Sequence, residues 1–166
     1  MIILLSGSIN AGKTTVSKLL VQMLPRLAHV EVDRLHDFVE WMTLDEAIPL
    51  NLQTAVAVTR CFVRFGLSVV ISYPLPDEDY DYLLRELQPL GVPMFAVTLS
   101  PTLAAALTNR GERELTQWER QRIPYHYRTG IHKPSFGITI DNTHQTPEET
   151  ARQIVALLED SKNAAK

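Results

Sequence analysis

Cysteine is almost missing from this chain. Cys61 is the only one among 166 residues, so no internal disulfide can form and a reducing compartment is the simple expectation. It falls in an apolar run of helical spacing, which predicts a packed thiol. No stretch stays apolar for the roughly 20 residues a membrane span needs, so no membrane partner is expected. The opening residues lack a basic leader, which predicts neither a signal peptide nor an anchor and points to a cytoplasmic location. Charge of one sign is also scarce. The 16 basic residues against 19 acidic ones leave a net charge of −3, too mild for the basic track that nucleic acid requires, so nucleic acid is not an expected partner.

The charge is unevenly spread. Residues 110–133 hold Arg110, Arg113, Arg120, Arg122, Arg128 and Lys133 against Glu112, Glu114 and Glu119, so this segment is +3 and the remainder −6. A hydrophobic content of 45% and a charged content of 21% are ordinary for a globular protein. The length suits one domain, taken as residues 1–166.

Glycine is sparse, seven in all, and two of the seven stand in one motif. Four apolar residues, 2–5, run into Gly7-Ser8-Ile9-Asn10-Ala11-Gly12-Lys13-Thr14, which is G-x-x-x-x-G-K-[ST]. Val16, Leu19, Leu20 and Met23 follow at helical spacing until Pro25. The chemistry needs these residue types. Gly7 and Gly12 permit positive φ and let backbone amides approach phosphate oxygens. The amides converge on a helix start whose dipole favours an anion. Lys13 can reach the β- and γ-phosphates, and the Thr14 hydroxyl can hold Mg2+. Gly7, Ser8, Asn10, Ala11, Gly12, Lys13, Thr14 and Thr15 are therefore the candidate nucleotide-binding set. The bland alternative, a glycine-rich turn of another α/β fold, lacks the strand-before, helix-after context present here.

Strands are predicted at 2–5, 28–32, 67–72, 93–99 and 136–140. Helices are predicted after the loop, at 34–42, from about 51 to 65, and from Asp77 with Tyr80, Leu83, Leu84 and Leu87 on one face. Ser100-Pro101 reads as a helix start, with serine as cap and proline first. Thr146 and Glu149 read as a capping box opening the last helix, whose buried face is Ala151, Ile154, Val155 and Leu158. Alternating strands and helices predict an α/β domain, a parallel sheet covered on both faces.

Other phosphate chemistries lack their marks. The Asn-Lys-x-Asp tetrad of GTP switches is absent, as is a strand ending in Asp-Glu of the kind motor ATPases use. What remains is a compact kinase, with ATP on the sheet and a lid over it. Here the sequence resembles the small P-loop phosphotransferases, among them chloramphenicol phosphotransferase, gluconate kinase and shikimate kinase. The likeness rests on "VEVDRLHDF", which puts Asp33 at the end of the second strand, on Arg110-Gly111-Glu112-Arg113, and on Asp141-Asn142-Thr143-His144 after the last strand. It implies the P-loop nucleoside-triphosphate-hydrolase fold with five strands in order 2-3-1-4-5. It also implies ATP with Mg2+ as cofactors, a small hydroxyl-bearing acceptor, and a mobile lid over about residues 111–130. One departure stands out. Many of these kinases end the third strand in an Asp, whereas this chain has Ser72-Tyr73, more similar to gluconate kinase.

Asp33 lies at the carboxyl edge of the sheet, where it can accept the acceptor's proton or touch Mg2+; a helix cap is the competing reading. The resemblance puts Arg110 on the adenine, and Arg113 with one of Arg120 or Arg122 on the phosphates, so that Lys13, Asp33, Arg113 and Arg120 form the candidate catalytic set. It puts Asn142 and Thr143 beside the adenine, and the candidate metal ligands are Thr14 and Asp33. His36 and the stripe Gln53, Arg60 and Arg64 read more simply as packing or solvated surface, and Trp118 reads as a lid anchor or as plain packing. Two other functions stay open: a nucleoside, nucleotide or nucleic-acid-end kinase, and a non-catalytic ATP-binding module.

Overall fold

The five strands lie side by side as β2-β3-β1-β4-β5, every pairing parallel, as the resemblance implied. They are β1 (Ile2–Gly7), β2 (Leu27–Glu31), β3 (Ser68–Ser72), β4 (Met94–Leu99) and β5 (Ile138–Ile140). The structure, a computed structural model, describes residues 1–108 and 114–164. Helices α1 (Lys13–Met23), α2 (Leu44–Arg64), α3 (Asp77–Leu87), α4 (Leu103–Ala106), α5 (Gln117–Arg128) and α6 (Pro147–Ala164) complete it.

Successive side chains of a strand point to opposite faces, so β1 feeds two cores. Ile2 and Leu4 pack with Leu52, Val56, Leu83 and Leu87 of α2 and α3. Ile3 and Leu5 pack with Val16, Leu20, Ile154 and Leu158 of α1 and α6. Both sets are buried, and the sheet is held from both sides. All five strands end at one edge, which is where the loop after β1 and the turn after β2 meet.

Four local expectations fail. Residues 34–42 do not form an α-helix; a 3₁₀ segment spans Val32–Phe38 instead. Helix α2 begins at Leu44, well before residue 51, because the Thr43 amide donates to Glu46 Oε2 at 3.1 Å in a capping box and Pro49 is carried inside the helix. Ser100 does not cap α4. Its amide bonds the Ile140 carbonyl at 2.9 Å and prolongs the sheet, so Thr102 takes the cap, accepting from the Ala105 amide. Cys61 is exposed rather than packed, since α2 turns that face outward. The box at Thr146 forms as expected, with Thr146 N to Glu149 Oε2 at 2.7 Å and Glu149 N to Thr146 Oγ1 at 3.1 Å. Among the described residues no helix is long and apolar enough to cross a membrane.

Candidate active site

The two motif glycines are required for different reasons. Gly7 has φ +142°, and a Cβ there would sit 2.6 Å from the Leu99 carbonyl oxygen, so close approach of β4 excludes any side chain. Gly12 caps α1 at φ +101°, and a Cβ there would meet the Asn142 side-chain nitrogen at an ordinary contact distance of 3.8 Å; there the backbone conformation rather than space demands glycine. The loop between them is tied down from outside. Asn10, itself at φ +62°, donates to the Ala106 and Thr108 carbonyls at 2.8 and 2.7 Å. Buried Asn142 donates to the Ala11 carbonyl at 2.9 Å. The Lys13 ammonium is folded onto the Gly7 and Ser8 carbonyls, both at 2.9 Å. Lost hydration lowers its pKa to about 8, while Asp33 and then Glu31 pull it upward.

The β2 edge brings acids to the same place. The Thr14 hydroxyl donates to Glu31 Oε1 at 2.5 Å. Glu31 stands opposite Ser72 in the β2–β3 register. The Ser72 hydroxyl is itself within 2.8 Å of His29 Nε2. Asp33 follows in the 3₁₀ turn and faces the cleft, where solvent reaches it. The surrounding protein still costs the carboxyl hydration and raises its pKa, with Lys13 opposing the rise and Glu31 adding to it. Among the described residues this carboxylate accepts no hydrogen bond, so it is not spent on capping. Beyond it stand Tyr73, whose phenol is pushed upward by burial and then by Asp79 and Asp33, and His36, whose Nε2 donates to the Met42 carbonyl at 3.1 Å.

Helix α5 forms the opposite wall. It starts with a capping box between Thr116 and Glu119 and carries Pro124 inside it. Arg120 and Arg122 part company here. Residues two apart on a helix lie on nearly opposite sides, and Arg120 reaches the Leu107 carbonyl at 3.2 Å whereas Arg122 lines the cleft, its guanidinium 4.4 Å from the Tyr125 ring centroid. Trp118 lines the same cleft and is half exposed. His126 is buried, with Nδ1 3.3 Å from Ser8 Oγ; burial, then Lys13 and Arg122, hold its pKa down at about 4. Thr143 is occupied locally: its hydroxyl donates to Asp141 at 2.5 Å and accepts from the Thr102 amide at 2.8 Å. Thr15 lines the cleft beside Lys13 and Thr14. Arg110 and Arg113 lie outside the described residues. Arg60 points elsewhere, pairing with Glu86 at 2.9 Å.

Loop, β2 edge and α5 together enclose one cavity of about 1540 Å3. Glu31, Tyr73, Asp79, Arg122 and His126 belong to it, and the sequence reading did not single out four of them. Glu31 had a signal, two residues before Asp33 at a strand end; the others depend on tertiary placement.

A parallel sheet in this order, a phosphate loop on its central strand and an acid-bearing turn at the carboxyl edge define a nucleotide-binding P-loop phosphotransferase. The chain belongs to the family described as chloramphenicol phosphotransferase-like protein, which matches residues 1–159. No curated protein matches it at a significant level. Among solved structures it is similar to a tunicamycin resistance protein of Deinococcus radiodurans, at 17% identity and TM-score 0.66, with 95% of this chain and 94% of that one covered. It is also similar to a sugar kinase of Janibacter sp. HTCC2649, at 17% identity and TM-score 0.72, with 95% and 94% covered. A third likeness is to the APS kinase of Mycobacterium tuberculosis in complex with AMPPNP and APS, at 18% identity and TM-score 0.65, with 95% and 96% covered.

If Lys13 holds the phosphates, as the motif predicts, nucleotide binding carries a pH signature. Phosphate favours the ammonium, whereas the free protein releases that proton near a pH of about 8. Affinity should therefore be flat below this pH and fall as pH rises through it, by roughly tenfold per unit. Calorimetry near pH ~9 in two buffers of different ionisation heat should show proton uptake on binding. Binding without uptake would contradict the assignment of Lys13 to the phosphates.

Proposed function

We propose that this chain moves the γ-phosphate of ATP to a hydroxyl of a small molecule, a metabolite or an antibiotic. The supporting observation is that Lys13 and Asp33 meet in one cleft, each being the largest charge effect on the other's pKa. The cavity of about 1540 Å3 exceeds the roughly 300–1,000 Å3 of a single-ligand pocket, which suits nucleotide and acceptor side by side.

In this reading the loop amides and Lys13 hold the β- and γ-phosphates. The acceptor oxygen attacks the γ-phosphorus as the bond to the β-γ bridging oxygen breaks, and Asp33 takes the hydroxyl proton. A raised pKa makes Asp33 a better base while Lys13 keeps it ionised. Arg122, on the cleft wall, is assigned to the transferring oxygens in place of Arg120. Arg110 on the adenine and Arg113 on the phosphates stay in the proposal, with residues 111–130 as the lid that excludes water.

Mg2+ fits the donors present. A hydroxyl that ligates a metal keeps its proton and needs an acceptor for it, and Thr14 has Glu31 in that role. Thr14 would hold the ion, with Asp33 beside it and Glu31 orienting Thr14 from the strand next to the acid-free end of β3. The ion would neutralise charge on the phosphates. Glu31→Gln should raise the Mg2+ concentration for half-maximal turnover by about tenfold. A Mg2+ titration of initial rate checks this, and an unchanged midpoint would remove Glu31 from the metal's surroundings.

The test of the function is ADP release over sugars, hydroxy acids, nucleosides and hydroxylated antibiotics. One class should give acceptor-dependent release. A flat panel with nucleotide binding intact would favour a non-catalytic module.

A further inference from the structure

We propose that the acceptor is a hydroxylated amine, and that Asp79 is the counter-ion for its ammonium group. The inference rests on the phosphotransferase reading above and names the class of its second substrate.

Asp79 is the third residue of α3 and lines the same cavity as Lys13 and Asp33. It is half-buried, and among the described residues it has neither a hydrogen bond nor an ion pair. An acidic side chain at this third helical position has the cap residue's amide as its nearest local donor, the bond that Glu makes in a capping box. Here the cap is Pro76, which has no N–H to give. Its neighbour Asp77 does have a local task, accepting from Ser135 Oγ at 2.9 Å. The helix dipole favours an acid in this turn, yet burial and then Glu78 still raise the Asp79 carboxyl above its ordinary range. The protein keeps on the cleft wall a carboxylate that, among the described residues, no hydrogen bond or ion pair satisfies.

Its position relative to the chemistry defines what it meets. The Tyr73 phenol responds to Asp79 and to Asp33, so both carboxylates border one side chain on one side of the cleft. A molecule whose hydroxyl reaches Asp33 lays its remainder against Tyr73 and Asp79. An anionic acceptor would bring its charge against Asp33, Asp79 and Glu78 together. The cation on the facing wall, Arg122, packs over Tyr125 and acts on His126 at the phosphate loop, and its pull on the Tyr73 phenol ranks below the effects of Asp79 and Asp33, so we place it toward the nucleotide. An ammonium group supplies both the charge and the donors that Asp79 lacks. A neutral polyol supplies donors alone.

The experiment uses the whole chain with MgATP and matched acceptors: amino sugars, aminocyclitols and alkyl amino alcohols, each beside its N-acetylated counterpart, with sugar acids as the anionic arm. Turnover should concentrate in the free amines, with kcat/KM about tenfold to a hundredfold above the acetylated partners, the range of one charge-assisted hydrogen bond. Asp79→Asn should raise KM for the best amine by a similar factor, leave kcat and nucleotide affinity near the parent's, and erase the preference over the acetylated form. Asp77→Asn, in the same helical turn, should leave the preference in place. Preferred neutral or anionic acceptors, or an Asp79→Asn variant that still selects amines, would overturn the inference while leaving a kinase. Phosphorylation of no acceptor at all would instead sink the phosphotransferase reading, and this inference with it.

Discussion

Lys13→Ala should lose phosphoryl transfer almost completely while the protein stays folded. Among the described residues the Lys13 ammonium hydrogen-bonds the Gly7 and Ser8 carbonyls, and no core cluster includes this side chain. Removing it takes the one loop cation away from the place where phosphate charge gathers. Deleting a single preorganised donor at a reacting anion costs about 10²–10³-fold in rate, and a full cation in a desolvated setting should cost at least that. Asp33 would also lose its main charge partner, so its carboxyl should rise further and be less often ionised. Rate and nucleotide affinity should therefore fall together, with a melting temperature within a few degrees of the parent's. Thermal melts, nucleotide titration and initial rates on one preparation check all three. A variant that binds and turns over like its parent would show that the loop is not the working site.

The loop was legible because its requirements are backbone requirements, written as Gly7, Gly12 and the strand and helix around them. The sheet order came from the resemblance, and the parallel character from the alternation of elements. Helix starts were harder. Thr43 with Glu46 and Thr116 with Glu119 carry the same signal as Thr146 with Glu149, but Pro49 and Pro124 mask it, since proline inside a helix normally marks its end. Ser100 misled for another reason: a cap residue and a strand residue look alike until the partner strand is known. Arg120 and Arg122 could not be separated without the orientation of α5. Glu31 matters through Thr14, seventeen positions earlier, a contact that exists only once β2 is set into the sheet. Asp79 has no mark in the sequence beyond its place near a helix start; its role depends on Pro76 being the cap and on the cleft it lines.

Asp33→Asn carries the second large effect. The amide keeps the shape of the carboxyl and loses its charge and basicity. Among the described residues the carboxylate makes no hydrogen bond that folding would miss, so stability should hold or rise slightly as an exposed but poorly hydrated charge disappears. Lys13 would lose its strongest upward influence, and its pKa should drop below about 8. Nucleotide affinity at neutral pH should nonetheless stay close to the parent's. Transfer should fall by about 10²–10⁴-fold, the range for a positioned general base. Were Asp33 chiefly a metal ligand, excess Mg2+ would restore much of the rate.

The central claim is that one cleft holds phosphate through Lys13 and works on the acceptor hydroxyl through Asp33. The measurement that tests it most directly is the rate of phosphate-ester formation, followed by phosphorus NMR, for the parent and Asp33→Asn at saturating MgATP and acceptor. The prediction is an ester signal that the parent builds up and the variant forms at least about a hundredfold more slowly, with nucleotide still bound. An equal rate in the two proteins, or inorganic phosphate as the parent's only product, would contradict it.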